Sequence, residues 1–261
     1  MGIVVITLPG KEQRAFVSAL NEATRGAVDL VIIKKAKPRT VADRVRRVME
    51  IVSAPNLLRE LWWGLRLRLS TKTRLALKYF RATSLGGGSV PEIKTVYAED
   101  INGDEIHRLL TDIRPDLIVV WCSAILKPRL LNTAKHVINF HTGILPFYRG
   151  AVANQFATLR HDAAHIGSTI HFVTPGVDRG DIIAQVYGDV GKPPREMFRE
   201  LNDKSLTFFI DIAQKLYAGE PVPSSAQDQS EGEFFRLSQW SNELRWKVGR
   251  QLLQWEETGI F

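Results

Sequence analysis

Two stretches of this 261-residue chain gather polar side chains that a scaffold does not need: Asn139-Phe140-His141-Thr142-Gly143-Ile144-Leu145-Pro146-Phe147-Tyr148-Arg149-Gly150 and His171-Phe172-Val173-Thr174-Pro175-Gly176-Val177-Asp178-Arg179-Gly180. In the first, Ile138 to His141 alternates apolar and polar, so Asn139 and His141 leave a strand on the same face and can address one ligand atom. An amide and an imidazole at the carboxyl end of a buried strand, followed by a loop with Pro and Gly, are what a site needs. Each residue also has an ordinary structural role open to it. Asn139 can cap a turn, His141 can be a hydrogen-bonded core histidine, and Asp178 can form a turn ahead of Arg179-Gly180.

Other chemistry is weaker. His161 and His165 stand four apart in what reads as a helix, but no Glu follows the first His as a zinc protease requires, and a solvated surface is the better reading. Cys122 follows a buried strand with no base beside it in sequence, so it is read as packing. As the only cysteine it excludes an internal disulfide and a multi-cysteine zinc site, and it fits a reducing, cytoplasmic compartment. No metal site is expected. Gly86-Gly87-Gly88-Ser89 lacks the Lys-Ser/Thr of a phosphate loop and reads as a linker.

The elements that must position these residues read as a β-α-β start, with strands at residues 3–8 and 28–33 around a helix at 11–24. A strand at 94–97, a helix at 102–112, the apolar run 117–121 and a strand at 136–141 follow. Two strands at 167–173 and 181–187 flank a turn-rich loop, and a helix covers 195–218. Continuous apolar runs alternating with helices predict an α/β fold, a Rossmann-like and mostly parallel sheet with helices on both faces. The first loop, Leu8-Pro9-Gly10-Lys11, is not G-x-G-x-x-G, so this topology carries no dinucleotide fingerprint. Residues 1–218 read as a catalytic domain with a basic helical insertion at about 36–90, and residues 219–261 as a short C-terminal extension.

The formal net charge of +7 is unevenly spread. Residues 34–81 carry +11 and the rest of the chain −4. Within the basic segment Val41, Val45, Val48, Met49 and Val52 recur at helical spacing, as do Leu57, Leu58, Leu61, Trp62, Leu65 and Leu69. Such helices either cover the edge of a sheet with their charges solvated, or lie in a membrane interface with Trp62 and Trp63 at headgroup depth. The N-terminal Met-Gly-Ile-Val-Val-Ile-Thr has no basic region or cleavage site and is expected to belong to the fold. Ile6 stands where a myristoylation signal needs Ser or Thr, and no uncharged apolar stretch reaches about 18 residues, so the chain is not expected to span a membrane.

Together the two polar stretches resemble the folate-dependent formyltransferase family, which includes glycinamide ribonucleotide, methionyl-tRNA and sugar N-formyltransferases. The resemblance covers roughly residues 115–185 well and the N-terminal strands loosely. It rests on Asn-x-His, then Leu-Pro before Arg-Gly, then an Asp-x-Gly loop after a strand ending in His-Phe-Val. It implies that Asn139, His141 and Asp178 form a catalytic triad and that N10-formyltetrahydrofolate is the formyl donor. An amine attacking the formyl carbon creates an oxyanion that the Asn139 amide and His141 can stabilise, with Asp178 orienting His141 and favouring its charged form. A proton must also pass from the amine to N10 through His141, Asp178 or water. The resemblance further implies a folate pocket using the backbone of Ile125 and Leu126 on one side, with Val173, Thr174 and Val177 enclosing the other. Two departures stand out: Trp121 to Ala124 replace the usual Gly and polar residues, and His-Thr-Gly replaces His-Pro-Ser, freeing the backbone at Gly143.

The first loop does not match the Gly-Asn-Gly-Ser type that holds a ribose phosphate, which disfavours glycinamide ribonucleotide as acceptor. About 45 residues follow the last helix, too few for the barrel of the tRNA enzymes, so a nucleic-acid partner is not expected. The plan is nearest to the sugar N-formyltransferases, which implies an anionic, nucleotide-linked amino sugar as acceptor. In the tail Gly232-Glu233-Phe234-Phe235-Arg236-Leu237-Ser238-Gln239-Trp240 the aromatics either stack on a base or pack, packing being favoured. Transfer to methionyl-tRNA, hydrolysis of the formyl donor, and a non-enzymatic folate or sugar-nucleotide binding module at a membrane surface remain as alternatives.

Overall fold

Ile3, Val4, Val5 and Ile6 are apolar without a break, the pattern of a strand covered on both faces. Strand β1 (Ile3–Thr7) is buried along its whole length. The computed structural model describes residues 2–36, 40–42, 49, 57–86, 92–121 and 125–261. Val45, Val48 and Val52 of the expected first basic helix, Gly87, Gly88 and Ser89 of the expected linker, and Cys122 lie outside the described residues.

The remaining strands are β2 (Val28–Lys34), β3 (Thr95–Ala98), β4 (Leu117–Trp121), β5 (His136–His141), β6 (Tyr148–Gly150), β7 (Gly167–Phe172), β8 (Ile182–Tyr187) and β9 (Glu233–Phe235). Seven form one sheet in the order β3-β2-β1-β4-β5-β7-β8, and β6 pairs with β9 apart from it. From β3 through β5 all pairings are parallel, while β7 runs antiparallel to β5 and β8 antiparallel to β7. The sheet is therefore mostly parallel, as expected from the sequence, with an antiparallel edge on the side where the polar stretches fall.

Alternation along the central strands splits their side chains between two layers. Ile3, Val5, Val119 and Phe140 pack on helix α1 (Lys11–Ala23) through Phe16 and Leu20, and on the 24-residue Pro194–Tyr217 helix through Phe209 and Ile212. Val4, Ile6, Ile32 and Val120 face the Asp104–Ile113 helix through Ile106 and Leu110. A third apolar cluster lies around β6 and joins Tyr148, Phe156 and Phe198 to Phe235, Leu252 and Trp255 of the chain's last third. Phe235 stacks on Tyr148 and Phe156 at 5.5 and 4.3 Å between ring centroids, so this tail aromatic packs.

The basic segment contributes helices α2 (Leu57–Leu69) and α3 (Thr71–Ala76). Neither covers a sheet edge. Instead α2 lies along the C-terminal helix Asn242–Thr258, where Trp63 meets Trp246 at 5.2 Å and Arg59 pairs with Glu243. His161 and His165 do not share a helix. His161 has a φ of +53° in a turn, and His165 ends a short 3-10 turn at 2.8 Å from Asp162.

Candidate active site

Strand β5 sends Ile138 and Phe140 into the core, where Phe140 meets Trp121 edge-on at 5.5 Å. Its period of two therefore sends Asn139 and His141 to the other face, both buried but polar. Across the antiparallel β5–β7 ladder Asn139 is the register partner of His171. His171 Nδ1 lies 2.7 Å from the Phe172 carbonyl, which only accepts, so that nitrogen carries the proton. Nε2 is then free to accept from Asn139 Nδ2 at 3.1 Å. The other end of the Asn139 amide, Oδ1, is buried and has no hydrogen-bond partner among the described residues. A buried acceptor left so costs about 1–3 kcal/mol, which makes it a natural receiver for a donor arriving on a ligand.

Asp178 sits on the β7–β8 loop with φ +52°, a left-handed conformation that Asp adopts more readily than most residues. Gln227 Nε2 donates to its carbonyl at 3.1 Å and pins the loop from outside. The carboxylate Oδ2 accepts from the Gly150 N–H at 2.8 Å and stands 3.5 Å from His141 Nδ1, while Oδ1 stands 3.6 Å from His171 Nε2. The three expected residues thus come together, and His171 makes a fourth between Asn139 and Asp178.

Burial pushes the Asp178 carboxyl upward, but the facing His141 and His171 and the Gly150 N–H outweigh it and hold it at about 2. Burial also pushes the His141 imidazole below its ordinary 6.5, against the pull of Asp178 and of the Tyr148 carbonyl. The low Asp178 value is reached with a charged imidazole: a neutral His141 gives Asp178 no full charge to pair with, and a His171 Nε2 that accepts from Asn139 has no proton to offer it. The Gly150 N–H is the stabilising partner that does not depend on any histidine's protonation. His141 Nε2 is 2.7 Å from the Tyr148 carbonyl, so both ring nitrogens face oxygen acceptors. A neutral ring can donate to only one of them and an imidazolium to both, so the pocket holds a neutral base whose charged form already has its partners.

The loop after β5 is shaped around this pair. A Cβ on Gly143 would stand 2.9 Å from His141 Nε2 and run into the Ala153 side chain. Thr169 fastens the same loop, donating to the Gly143 carbonyl at 2.8 Å and accepting from the Leu145 N–H at 3.1 Å. Gly150, at φ +88°, presents its N–H to Asp178 while its carbonyl side follows β9.

The five expected folate-contacting residues are spread more widely. Ile125 is exposed, its carbonyl accepts from Asn102 Nδ2 at 2.9 Å, and its side chain lines a cleft of about 320 Å³ with Lys34, Lys35 and Asn102. Leu126 is buried in the core layer against which Val173 packs. Val173 and exposed Thr174 line a second cleft of about 530 Å³ with His136, Phe172 and Pro175. Val177 is half-buried beside Asp178. The two clefts share no residue, and neither is lined by Asn139, His141 or Asp178.

Sequence reasoning did not assign His171 a role, nor the buried Nε of Arg149, which finds no partner among the described residues. His171 shows up only once β7 is known to run antiparallel to β5. The signal for it in the sequence was a histidine next to the end of a strand that also carries Ser168 and Thr169.

A family model described as formyl transferase matches residues 2–207. A methionyl-tRNA formyltransferase of Finegoldia magna is 33% identical over 157 residues, 59% of this chain and 47% of that protein. The chain spans about half the length of the curated relatives it matches. Among solved structures, a sugar N-formyltransferase from Shewanella sp. superposes with a TM-score of 0.56 at 14% identity, over 95% of this chain and 88% of that one. The formyltransferase PseJ from Anoxybacillus kamchatkensis, in complex with UDP-4,6-dideoxy-4-formamido-L-AltNAc and tetrahydrofolate, superposes with 0.53 at 16% identity, over 96% and 97%. At these identities the likeness to the solved structures is one of fold.

Proposed function

This chain belongs to the formyl transferase family, and on that premise we propose that it transfers a formyl group from N10-formyltetrahydrofolate to a primary amine, the amine of a nucleotide-linked amino sugar. The observation that carries the reading is the buried Asn139, His141, His171 and Asp178 cluster with an amide oxygen left open. The donor suits the residues present. The orphaned Asn139 Oδ1 offers an acceptor at the reacting end, and an exposed Ile125 and a half-buried Val177 on the loops after β4 and β7 offer apolar surface for a pterin. When bound, that donor supplies the formyl carbon: its bond to N10 breaks as a bond to the amine nitrogen forms, and the amine gives up one proton while N10 gains one.

The chain's own groups divide that work. Asn139 is held by His171 through one N–H, which leaves its second N–H for the developing oxyanion and its Oδ1 for an amine N–H. Asp178 stays ionised at neutral pH, fixed by Gly150, and aims His141. His141, kept neutral by burial, takes the proton of the attacking amine, becomes an imidazolium whose two N–H groups meet Asp178 and the Tyr148 carbonyl, and returns to neutrality by giving a proton up toward the leaving nitrogen. Ile125, Leu126, Val173, Thr174 and Val177 are the donor-binding residues of this proposal.

For the acceptor, the unpaired buried Arg149 Nε supports an anionic substrate, and a fold shared over nearly the whole chain with a sugar-nucleotide complex supports an amino sugar. A second reading is favoured by one specific observation. The relatives that align in sequence at 33% and 31% identity are methionyl-tRNA formyltransferases, so charged initiator tRNA is the competing acceptor. The test is to incubate purified protein with N10-formyltetrahydrofolate and either amino-sugar nucleotides, methionyl-tRNA or water alone, following tetrahydrofolate release beside His141→Ala. Release with an amino sugar that the variant loses supports the proposal. Release with tRNA moves the acceptor, release with water makes the chain a hydrolase, and release unchanged in His141→Ala overturns the site.

A further inference from the structure

Helix α2 is built inside out. Projected at 100° per residue, Trp63, Gly64 and Glu60 point toward the C-terminal helix. There Trp63 meets Trp246, Asn242 reaches the Glu60 carbonyl and carboxylate, and a Cβ on Gly64 would stand 3.1 Å from Asn242 Nδ2. The opposite face carries Leu58, Leu61, Trp62, Leu65 and Leu69, exposed by 82, 57, 56, 51 and 75%. No residue of this helix is buried. A surface helix normally turns such a stripe inward, so five large apolar side chains aligned toward solvent mark a surface that something covers.

The rims of the stripe identify the partner. Arg68 borders it on one side and Arg66 and Arg59 on the other, by the same projection. Arg59 is paired with Glu243 and Arg66 lies over the Trp62, Trp63 and Trp246 rings at 5.7, 5.1 and 4.4 Å, while Lys72 and Arg74 continue the charge of Arg68 onto α3. The only acidic residue of α2, Glu60, is turned to Asn242. A second copy docking through this face across a twofold axis would bring arginine rims against arginine rims. A nucleic acid would meet leucines where it needs polar contacts. An apolar stripe flanked on both sides by long cationic side chains, one tryptophan within it, matches the boundary between acyl chains and anionic headgroups. Among the described residues no helix is long and apolar enough to cross a membrane, so the contact is one of lying on the surface.

We propose that the outward face of α2, Leu58, Leu61, Trp62, Leu65 and Leu69 with its arginine rims, is a docking surface for an anionic lipid bilayer. The proposal goes beyond the formyl-transfer reading and does not depend on it. The full chain is to be sedimented with phosphatidylcholine vesicles, with and without phosphatidylglycerol. The expected result is at least about tenfold stronger partition onto the anionic vesicles, a drop of about fivefold for Arg68→Ala, and loss of binding for Leu61→Asp/Leu65→Asp with an unchanged melting temperature. Quenching of tryptophan fluorescence by brominated lipid gives a readout that inserts no charge: it is present in the wild type and largely lost in Trp62→Phe. The His141→Ala variant binds vesicles like the wild type, which separates a failed surface from a failed active site. Absence of binding to anionic vesicles, or binding that survives Leu61→Asp/Leu65→Asp, overturns the proposal. So does a dimer that this variant dissociates while vesicles stay unbound.

Discussion

Replacing Asp178 by Asn tests how the site is held together. Asn is the right probe because Asp178 has φ +52°, and Asn tolerates the left-handed region as well as Asp does. Its amide oxygen can still accept from Gly150, so geometry is kept and charge alone is removed. The value of about 2, against an ordinary 3.8, is reached with a charged imidazole facing the carboxylate and corresponds to about 2 kcal/mol; at neutral pH, with His141 neutral, the Gly150 N–H supplies a smaller share. Between pH 4 and 2 the unfolded chain binds the proton that the folded chain refuses, so this stabilisation is lost as pH falls toward 2. Urea unfolding should therefore place Asp178→Asn about 1 kcal/mol below the wild type at pH 7, about 2 kcal/mol below it once His141 is charged, with the gap narrowing toward zero near pH 2. Activity should fall by about 10²–10⁴. The acid limb of the rate profile, set below pH 6.5 by buried His141, should move lower still because the carboxylate that raises it is gone. A stability gap that stays constant with pH would refute the electrostatic account, and a limb that moves upward would refute the assignment of His141 as the base.

Three further substitutions bear on the same architecture. Gly143→Ala should cost about 1–3 kcal/mol in urea unfolding and lower kcat, because its Cβ meets His141 Nε2 at 2.9 Å and the loop is pinned by Thr169. His171→Gln should lower kcat with little change in KM, since it loosens the Asn139 amide without touching the bulk of the donor pocket; an equal loss in both would make His171 a binding residue. Trp255→Ala, emptying a position 2% exposed against Phe198, should lower stability by about 3–5 kcal/mol, read from a chemical denaturation midpoint.

The layers of the fold were legible because unbroken apolar runs at residues 3–6 and 117–120 admit little but buried parallel strands. Asn139, His141 and Asp178 were legible because a strand's period of two places the first pair together and the third stands in a turn-rich loop. His171 was not, because its partnership with Asn139 exists only through an antiparallel register that neither strand's own pattern announces. The helix spacing of residues 57–69 was plain, yet which face turned inward was not. Hydropathy favours burying the leucines, and the actual seam with the C-terminal helix is made by Trp63, Gly64 and paired charges.

The last third of the chain ties these features together. Strand β9 pairs with β6 along Tyr148, Arg149 and Gly150, and so steadies the backbone whose Gly150 N–H fixes Asp178. Its Phe235 carbonyl also accepts from the Ala151 N–H at 2.8 Å, next to the same turn. A few residues on, the C-terminal helix grips α2 through Asn242, Glu243 and Trp246 and α3 through Gly249, where a Cβ would stand 2.8 Å from the Thr73 carbonyl. One segment thus buttresses the catalytic loop on its way in and sets the outward face of the basic helix on its way out. Gly150 answers to the first demand and Gly249 to the second, and neither of them, though no chemical group of the reaction, tolerates a larger side chain without displacing backbone.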